Sequence, residues 1–151
     1  MFLQTNDRII NLKNVSNINI LVDDFRIIFN LNYNIEIETD YGSKLISDYV
    51  YWDCINQSDL EHNLKYIDAN AYFSQNFISS SDRTSFININ EISSIKFSEK
   101  KNRVIFNLSH PVTFRDYYKN ERITSEFVYV NCDSPAKYKE YIQYVKSTCN
   151  L

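Results

Sequence analysis

Apolar and polar residues alternate along two long segments of this chain, Arg26–Glu38 and Arg103–Phe114. A period of two residues is typical of a β-strand that buries one face, so each segment is predicted to be a long strand. Shorter segments of the same character lie before and after each long one. They are Ile9–Leu12, Ile18–Leu21 and Asp48–Cys54 in the first half, and Phe86–Ile89, Ile95–Phe97 and Glu126–Cys132 in the second. The pattern therefore predicts four strands in each half of the chain.

A helical period follows the fourth predicted strand in both halves. The apolar residues that recur at this spacing are Leu60, Leu64 and Ile67 in the first half, and Tyr138, Ile142 and Val145 in the second. The segment Ser58–Glu61 fits a capping box, which would begin the first helix at Ser58. In the second half, Ser134 stands before Pro135, a proline suited to the first helical position. Each half is thus predicted to contain four strands followed by one helix, in the order ββββα.

The two halves also share sequence. Residues 9–31 align with residues 86–108 without a gap, and nine of the 23 positions are identical. After an insertion of one residue, residues 49–54 align with residues 127–132. We therefore predict an α+β fold of tandem ββββα units, packed about a pseudo-twofold axis into a single body. Residues 1–73 form the first unit, residues 74–84 a serine-rich linker, and residues 85–151 the second unit.

One face of each predicted sheet is apolar and is expected to lie under the helix of its unit. The opposite face carries cationic, amide and aromatic side chains, which are Arg26, Asn30, Tyr49 and Tyr51 in the first unit and Arg103, Asn107, Phe127 and Tyr129 in the second. Two interpretations stay open for this face. It forms the interface between the units, since about 65 residues make a marginal core alone, or it faces a ligand.

Composition limits the chemistry. Gly42 is the single glycine, whereas phosphate-binding loops and dinucleotide fingerprints need several. The three cysteines lack C-x-x-C spacing, and two histidines are too few for an obvious zinc site. No nucleophile lies beside a histidine and an acid in a recognisable pattern. We expect neither an enzyme nor a bound cofactor or metal. The excess of Asn and Ile over Ala, Gly and Pro is typical of an AT-rich genome.

Charge divides the chain. Residues 1–75 carry five basic and eleven acidic side chains, whereas residues 76–151 carry eleven basic and eight acidic ones. We expect an acidic partner-binding patch in the first unit, made of Asp23, Asp24, Glu36, Glu38 and Asp40. Such a patch would engage a basic protein, or the basic second unit of another copy. This predicts a non-enzymatic interaction protein, such as an adaptor, an inhibitor, or an immunity-type or phage-type accessory protein.

The N-terminal residues lack the features of a signal peptide, and no apolar stretch approaches the length of a membrane span. A soluble cytoplasmic protein with no membrane partner is therefore expected.

The alternative function is binding of single-stranded nucleic acid by the second unit. Its basic and aromatic residues interleave, and they are Lys96, Lys100, Lys101, Arg103, Arg115, Tyr117, Tyr118, Lys119 and Arg122. Bases stack on aromatic rings while cations follow the phosphates. In the order of their elements, paired ββββα units resemble the PUR-repeat and Whirly-type single-strand binders, and this resemblance implies the same ligand class. The acidic overall balance argues against tight binding, because affinity grows with the number of neutralised phosphates.

Overall fold

The fold is α+β, with antiparallel sheets and a helix near the C-terminus, as predicted. The computed structural model describes residues 1–38, 41–42, 44–116 and 121–151, and within these it describes the side chains of all but residues 37–38, 44–46, 112–116 and 121–124. The elements in chain order are β1 (Phe2–Gln4), β2 (Ile9–Asn11), β3 (Val15–Leu21), β4 (Arg26–Glu38), β5 (Lys44–Asp53), α1 (Gln57–Asp68), α2 (Ala71–Asn76), β6 (Phe77–Ser79), β7 (Ser85–Asn88), β8 (Ile92–Ser98), β9 (Arg103–Asp116), β10 (Glu121–Asn131) and α3 (Pro135–Thr148).

These strands form two main sheets. The first has five strands in the order β5-β4-β3-β7-β6, and the second has three in the order β10-β9-β8. β1 and β2 form a separate pair. β7 pairs with β3, so the first sheet includes strands from both predicted units. The tandem repeat and its pseudo-twofold axis stay predictions.

The first hydrophobic core lies between the five-stranded sheet and helices α1 and α2. Ile27 and Phe29 of β4 are fully buried in it, as predicted from the alternation. Leu60 and Ile67 of α1 cover them from the helix side, and Phe73 of α2 extends the cover. Because β-strand side chains alternate, the residues between these point to the other side of the sheet.

The second core lies between the three-stranded sheet and α3. It contains Val104 and Phe106 of β9 together with Val145 of α3. Ile78 of β6 and Ile87 of β7 are buried in this same core, although both belong to the five-stranded sheet. Their sequence neighbours, Phe77 and Phe86, are buried in the first core. The β6–β7 hairpin thus contributes alternate residues to both cores.

The segment predicted as the linker, residues 74–84, is structured. It contains the end of α2, the buried strand β6 and the turn that joins β6 to β7. Ser80 N–H donates to the Ser85 carbonyl at 2.7 Å across this turn, and Arg83 takes a left-handed φ of 59° within it. The division into units at this segment stays a prediction, but the residues themselves are part of a sheet.

The predicted capping box is wrong by two residues. α1 begins after Asn56, whose side chain accepts a hydrogen bond from Asp59 N–H at 2.9 Å, and Ser58 lies inside the helix. The Asp59 carboxylate in turn accepts from Ile55 N–H at 2.9 Å. The prediction for α3 is confirmed, since Ser134 is the N-cap and Pro135 the first helical residue.

Asn and Asp tolerate left-handed conformations, so they are expected in the hairpin turns of a chain that has a single glycine. In the β8–β9 turn Asn102 has φ 47°, in agreement. In the β3–β4 turn the left-handed residue is Phe25, with φ 50°, and not Asp23 or Asp24. Phe25 packs against the first core, so apolar contact accompanies this strained conformation.

Candidate interaction surface

The three-stranded sheet turns one face toward α3 and the other away from it. We call this second face the outer face. Strand register arranges it as three rows, which are Ser94, Asn107 and Phe127, then Lys96, Ile105 and Tyr129, then Ser98, Arg103 and Asn131. The spacings of β-sheets make it about 10 Å across the strands and about 13 Å along them. None of its nine residues is acidic.

Arg103 is held in place on the outer face by two neighbours. Its Nε donates a hydrogen bond to the Asn131 side-chain oxygen at 2.6 Å, and its guanidinium lies 4.3 Å from the centre of the Tyr129 ring. The Phe127 ring follows at 6.2 Å from that of Tyr129, with an angle of 28° between them. Phe127 is 45% exposed and Tyr129 48% exposed. The two rings are therefore accessible, and the partly exposed guanidinium is held by its neighbours.

The first sheet carries a similar arrangement on its side away from α1. Arg26 Nε donates to the Asp53 carboxylate at 2.5 Å, and the guanidinium lies 4.4 Å from the centre of the Tyr51 ring. The Tyr49 and Tyr51 rings are 5.0 Å apart. Asp53 is a carboxylate where Asn131 is a neutral amide, so the charge of Arg26 is compensated by its partner.

The two arrangements also differ in exposure. Asn30 is 2% exposed, and Tyr49 and Tyr51 are half-buried. On the outer face Asn107 is partly exposed, and its amide donates to Ser94 Oγ at 2.9 Å. Asn30 and the two tyrosines of the first arrangement are therefore more covered than Asn107, Phe127 and Tyr129 of the outer face, although Arg26 and Arg103 are both partly exposed.

The predicted basic and aromatic set is divided by the structure. Lys96 and Arg103 lie on the outer face, and Lys100 and Lys101 are exposed in the turn beside its last row. Arg115 and Arg122 pair in backbone register near the far end of the β9–β10 hairpin. With a rise of about 3.3 Å per residue this is about 40 Å from Arg103. The side chains of Arg115 and Arg122, and all of Tyr117, Tyr118 and Lys119, lie outside the described residues.

The predicted acidic set is also divided. Asp23 and Asp24 are exposed in the turn between β3 and β4, and Glu36 is exposed near the other end of β4. The ten residue steps of β4 from Arg26 to Glu36 place Glu36 about 33 Å from that turn. These three residues therefore do not share one contact patch. The side chain of Glu38 and the whole of Asp40 lie outside the described residues.

A buried carboxylate between the sheets was not identified from the sequence. Glu91, in the turn before β8, is 8% exposed. Its carboxylate accepts a hydrogen bond from the Asn32 amide of β4 at 3.1 Å and lies 2.8 Å from Nδ1 of His110 on β9. Glu91 aligns with Asn14 of the first half. The extra charge at this position was the signal in the sequence that could have identified Glu91.

The three cysteines are reduced thiols in the structure. Burial is the largest influence on each, and it raises the pKa of Cys54, Cys132 and Cys149 above the ordinary value. Asn63 also donates to the sulfur of Cys54 at 3.3 Å. Within the described ranges, no group of three or more His, Cys, Asp or Glu side chains could hold a metal ion.

Comparison of the chain with models of known families, with curated proteins and with solved structures finds no significant match. Among the helices in the described part of the chain, none is long and apolar enough to span a membrane.

Proposed function

We propose that this chain is a small non-enzymatic binding protein that holds its partner on the outer face. The observation that carries this proposal is the row of Arg103, Tyr129 and Phe127, in which Asn131 holds the partly exposed guanidinium and both rings are exposed. Tyr and Arg are the side chains that most often dominate the energy of binding interfaces. A side chain that is already fixed by its neighbours loses little conformational entropy on binding, which favours affinity.

The chemistry of the face suits binding better than catalysis. Its nine residues offer hydroxyl, amide, aromatic and cationic groups, and neither a carboxylate nor an imidazole. General acid–base catalysis rests mainly on those two groups. Roles as an adaptor, an inhibitor or an accessory protein of an immune or phage system are consistent with such a face. A cytoplasmic location belongs to the same proposal, because reduced cysteines are typical of that compartment.

We also propose that the chain is a tandem repeat whose second copy presents the open face. Irregularities of strand pairing support this. Ser47 Oγ donates to the Tyr49 carbonyl at 3.0 Å and accepts from Tyr49 N–H at 3.2 Å. Ser125 makes the same two bonds to Phe127, at 2.9 Å and 3.3 Å. Both serines lie where the register of the adjoining strands shifts.

The turns support the repeat in the same way. Cys54 N–H donates to the carbonyl of Phe25 at 2.8 Å, and Cys132 N–H donates to that of Asn102 at 2.9 Å. Phe25 and Asn102 are both left-handed. Corresponding bonds at aligned positions are expected of duplicated units.

The proposed binding face is tested with the double variant Phe127→Ala/Tyr129→Ala. Wild-type and variant protein are immobilised and exposed to an extract of the source organism, and retained protein and nucleic acid are quantified. We expect the wild type to retain a component that the variant loses. Tyr41→Ala is the control, since Tyr41 is an exposed aromatic residue outside this face. Equal retention by all three proteins would contradict the proposal.

A further inference from the structure

We infer that the ligand of the outer face is single-stranded nucleic acid, with phosphate at Arg103 and Lys96 and a base stacked on Phe127 beside Tyr129. This inference rests on the proposed function, because it names the ligand of the same face.

The charge of Arg103 favours an anionic ligand. At the aligned position, Arg26 binds the Asp53 carboxylate at 2.5 Å, and the two charges cancel. Arg103 binds the neutral side chain of Asn131 in the same geometry. Its positive charge is therefore held in place without an acidic partner among the described residues. Arginine bound in this way keeps donors for a phosphate, which accepts charge-assisted hydrogen bonds.

The surroundings of Arg103 extend the positive charge. Lys96 lies on the neighbouring row, and Lys100 and Lys101 are exposed in the adjoining turn. The acidic residues nearest in sequence are outside the face. Glu99 shares the turn with the two lysines, Asp133 pairs with Lys137 at 3.3 Å, and Glu126 precedes Phe127 at the opposite end of the face. The balance at this end of the sheet is cationic, although the whole chain is acidic.

The rings of Phe127 and Tyr129 favour a ligand with unpaired bases. Phe127 and Tyr129 are two residues apart on one strand, so both rings lie on the same side of the sheet. Both residues are almost half exposed. Exposed rings bind unpaired bases by stacking with little regard to sequence. In a duplex the base faces are already stacked on each other, so these rings favour a single strand.

A protein partner fits the face less well. The centres of protein interfaces are depleted in lysine, and they place an aromatic or arginine anchor in a pocket of the partner. Here the middle row contains Lys96 beside Ile105 and Tyr129, on a sheet surface. Cations beside stacked rings are the usual composition of a single-strand site.

The inference is tested by fluorescence anisotropy with a labelled twelve-nucleotide oligothymidine at low salt. The wild type is expected to bind with micromolar affinity, since the small face contacts few phosphates. For two to four neutralised phosphates, the slope of log K against log salt is expected between about −1.4 and −2.8. Phe127→Ala and Tyr129→Ala are each expected to weaken binding about fivefold or more.

Asn131→Asp is the decisive variant. It gives Arg103 the carboxylate partner that Arg26 already has, so the fold is expected to tolerate it. We expect affinity for the oligonucleotide to fall about tenfold, with an unchanged circular dichroism spectrum. Asp53→Asn is the matched control, because it makes the reciprocal change in the covered arrangement and is expected to leave affinity within about twofold.

The outcomes separate the inference from the proposed function. Absence of oligonucleotide binding by the wild type, or equal binding by Asn131→Asp, would overturn the inference. If the Phe127→Ala/Tyr129→Ala variant nevertheless loses a protein from the extract, the outer face is a protein-binding surface and only the ligand class was wrong. If this variant changes neither assay, both proposals fail.

Discussion

The hydroxyl of Tyr141 on α3 donates a hydrogen bond to the main-chain carbonyl of Ser79 at 2.9 Å. One turn along the helix, the hydroxyl oxygen of Tyr144 accepts from the N–H of the same Ser79 at 3.0 Å. Ser79 belongs to β6, the edge strand of the five-stranded sheet. Unpaired backbone groups at an edge attract further strands or must be covered. The two tyrosines satisfy both groups of Ser79 and attach α3 to the first sheet.

Replacing Tyr141 by Phe is expected to lower the free energy of unfolding by about 1–2 kcal/mol, because a buried carbonyl loses its donor. Urea denaturation measures the loss, and the dependence on urea concentration should stay constant. Tyr144→Phe is the control, and it should cost less because Tyr144 is partly exposed and water can replace its hydroxyl. A larger loss for Tyr144→Phe than for Tyr141→Phe would contradict this account.

The same contact predicts a loss of stability at alkaline pH. Burial is the main cause that raises the pKa of Tyr141 in the folded protein. In the unfolded chain the pKa of a tyrosine is about 10. The unfolded state therefore releases this proton first, so the contribution is complete below about pH 10 and falls as the pH rises further. Unfolding midpoints between pH 8 and pH 11 should decline more steeply for the wild type than for Tyr141→Phe. Parallel curves would refute this.

Glu91 is expected to stabilise the contact between the two sheets. Glu91→Ala removes the acceptor of the Asn32 amide, so we expect a loss of about 1–2 kcal/mol in the free energy of unfolding. His110 contributes less to this loss, since its side chain is 56% exposed and water can replace the carboxylate. Glu91→Gln keeps an oxygen for Asn32 and should cost less than the alanine variant. Equal losses from the two variants would show that the charge of Glu91, and not the hydrogen bond, stabilises this contact.

The start of α1 gives a matched pair of variants. Asn56→Ala removes the N-cap and should cost about 1 kcal/mol of stability, as helix caps usually do. Ser58→Ala changes an exposed position inside the helix and should shift stability by less than about 0.5 kcal/mol. Thermal unfolding of both variants decides between the two candidate caps. A greater loss for Ser58→Ala would restore the capping box predicted from the sequence.

The thiols are expected to react slowly in the folded protein. Burial raises the pKa of all three, so the reactive thiolate is scarce near pH 7. Titration with a chromogenic disulfide at pH 7.5 should therefore be slow, and it should accelerate on addition of urea. Rapid reaction of one thiol in the native state would identify an activated cysteine and contradict its structural role.

Alternation identified the long strands and their buried faces because it depends only on local geometry. β4 begins and ends as predicted, at Arg26 and Glu38. The three rows of the outer face follow from the same period once the register is known. The capping error has a local cause too, since Asn56 and Ser58 are both good N-cap residues and stand two positions apart.

Other features depend on contacts between distant parts of the chain. β6 has only three residues, too few for a period, and it exists as a strand because β7 and the tyrosines of α3 bind it. The different exposure of Asn30 and Asn107 depends on what covers each sheet. Equivalent sequence positions therefore did not predict which of the two faces is open.

The β6–β7 hairpin couples the unfolding of the two cores. Phe77 and Phe86 face one core, whereas Ile78 and Ile87 face the other. Unfolding of either core would therefore expose half of this hairpin to water. Neither half of the chain is therefore expected to stay folded when the other half unfolds. A calorimeter should accordingly record one heat-absorption peak, with the van't Hoff enthalpy equal to the calorimetric enthalpy. A duplicated sequence would then behave, on heating, as a single unit.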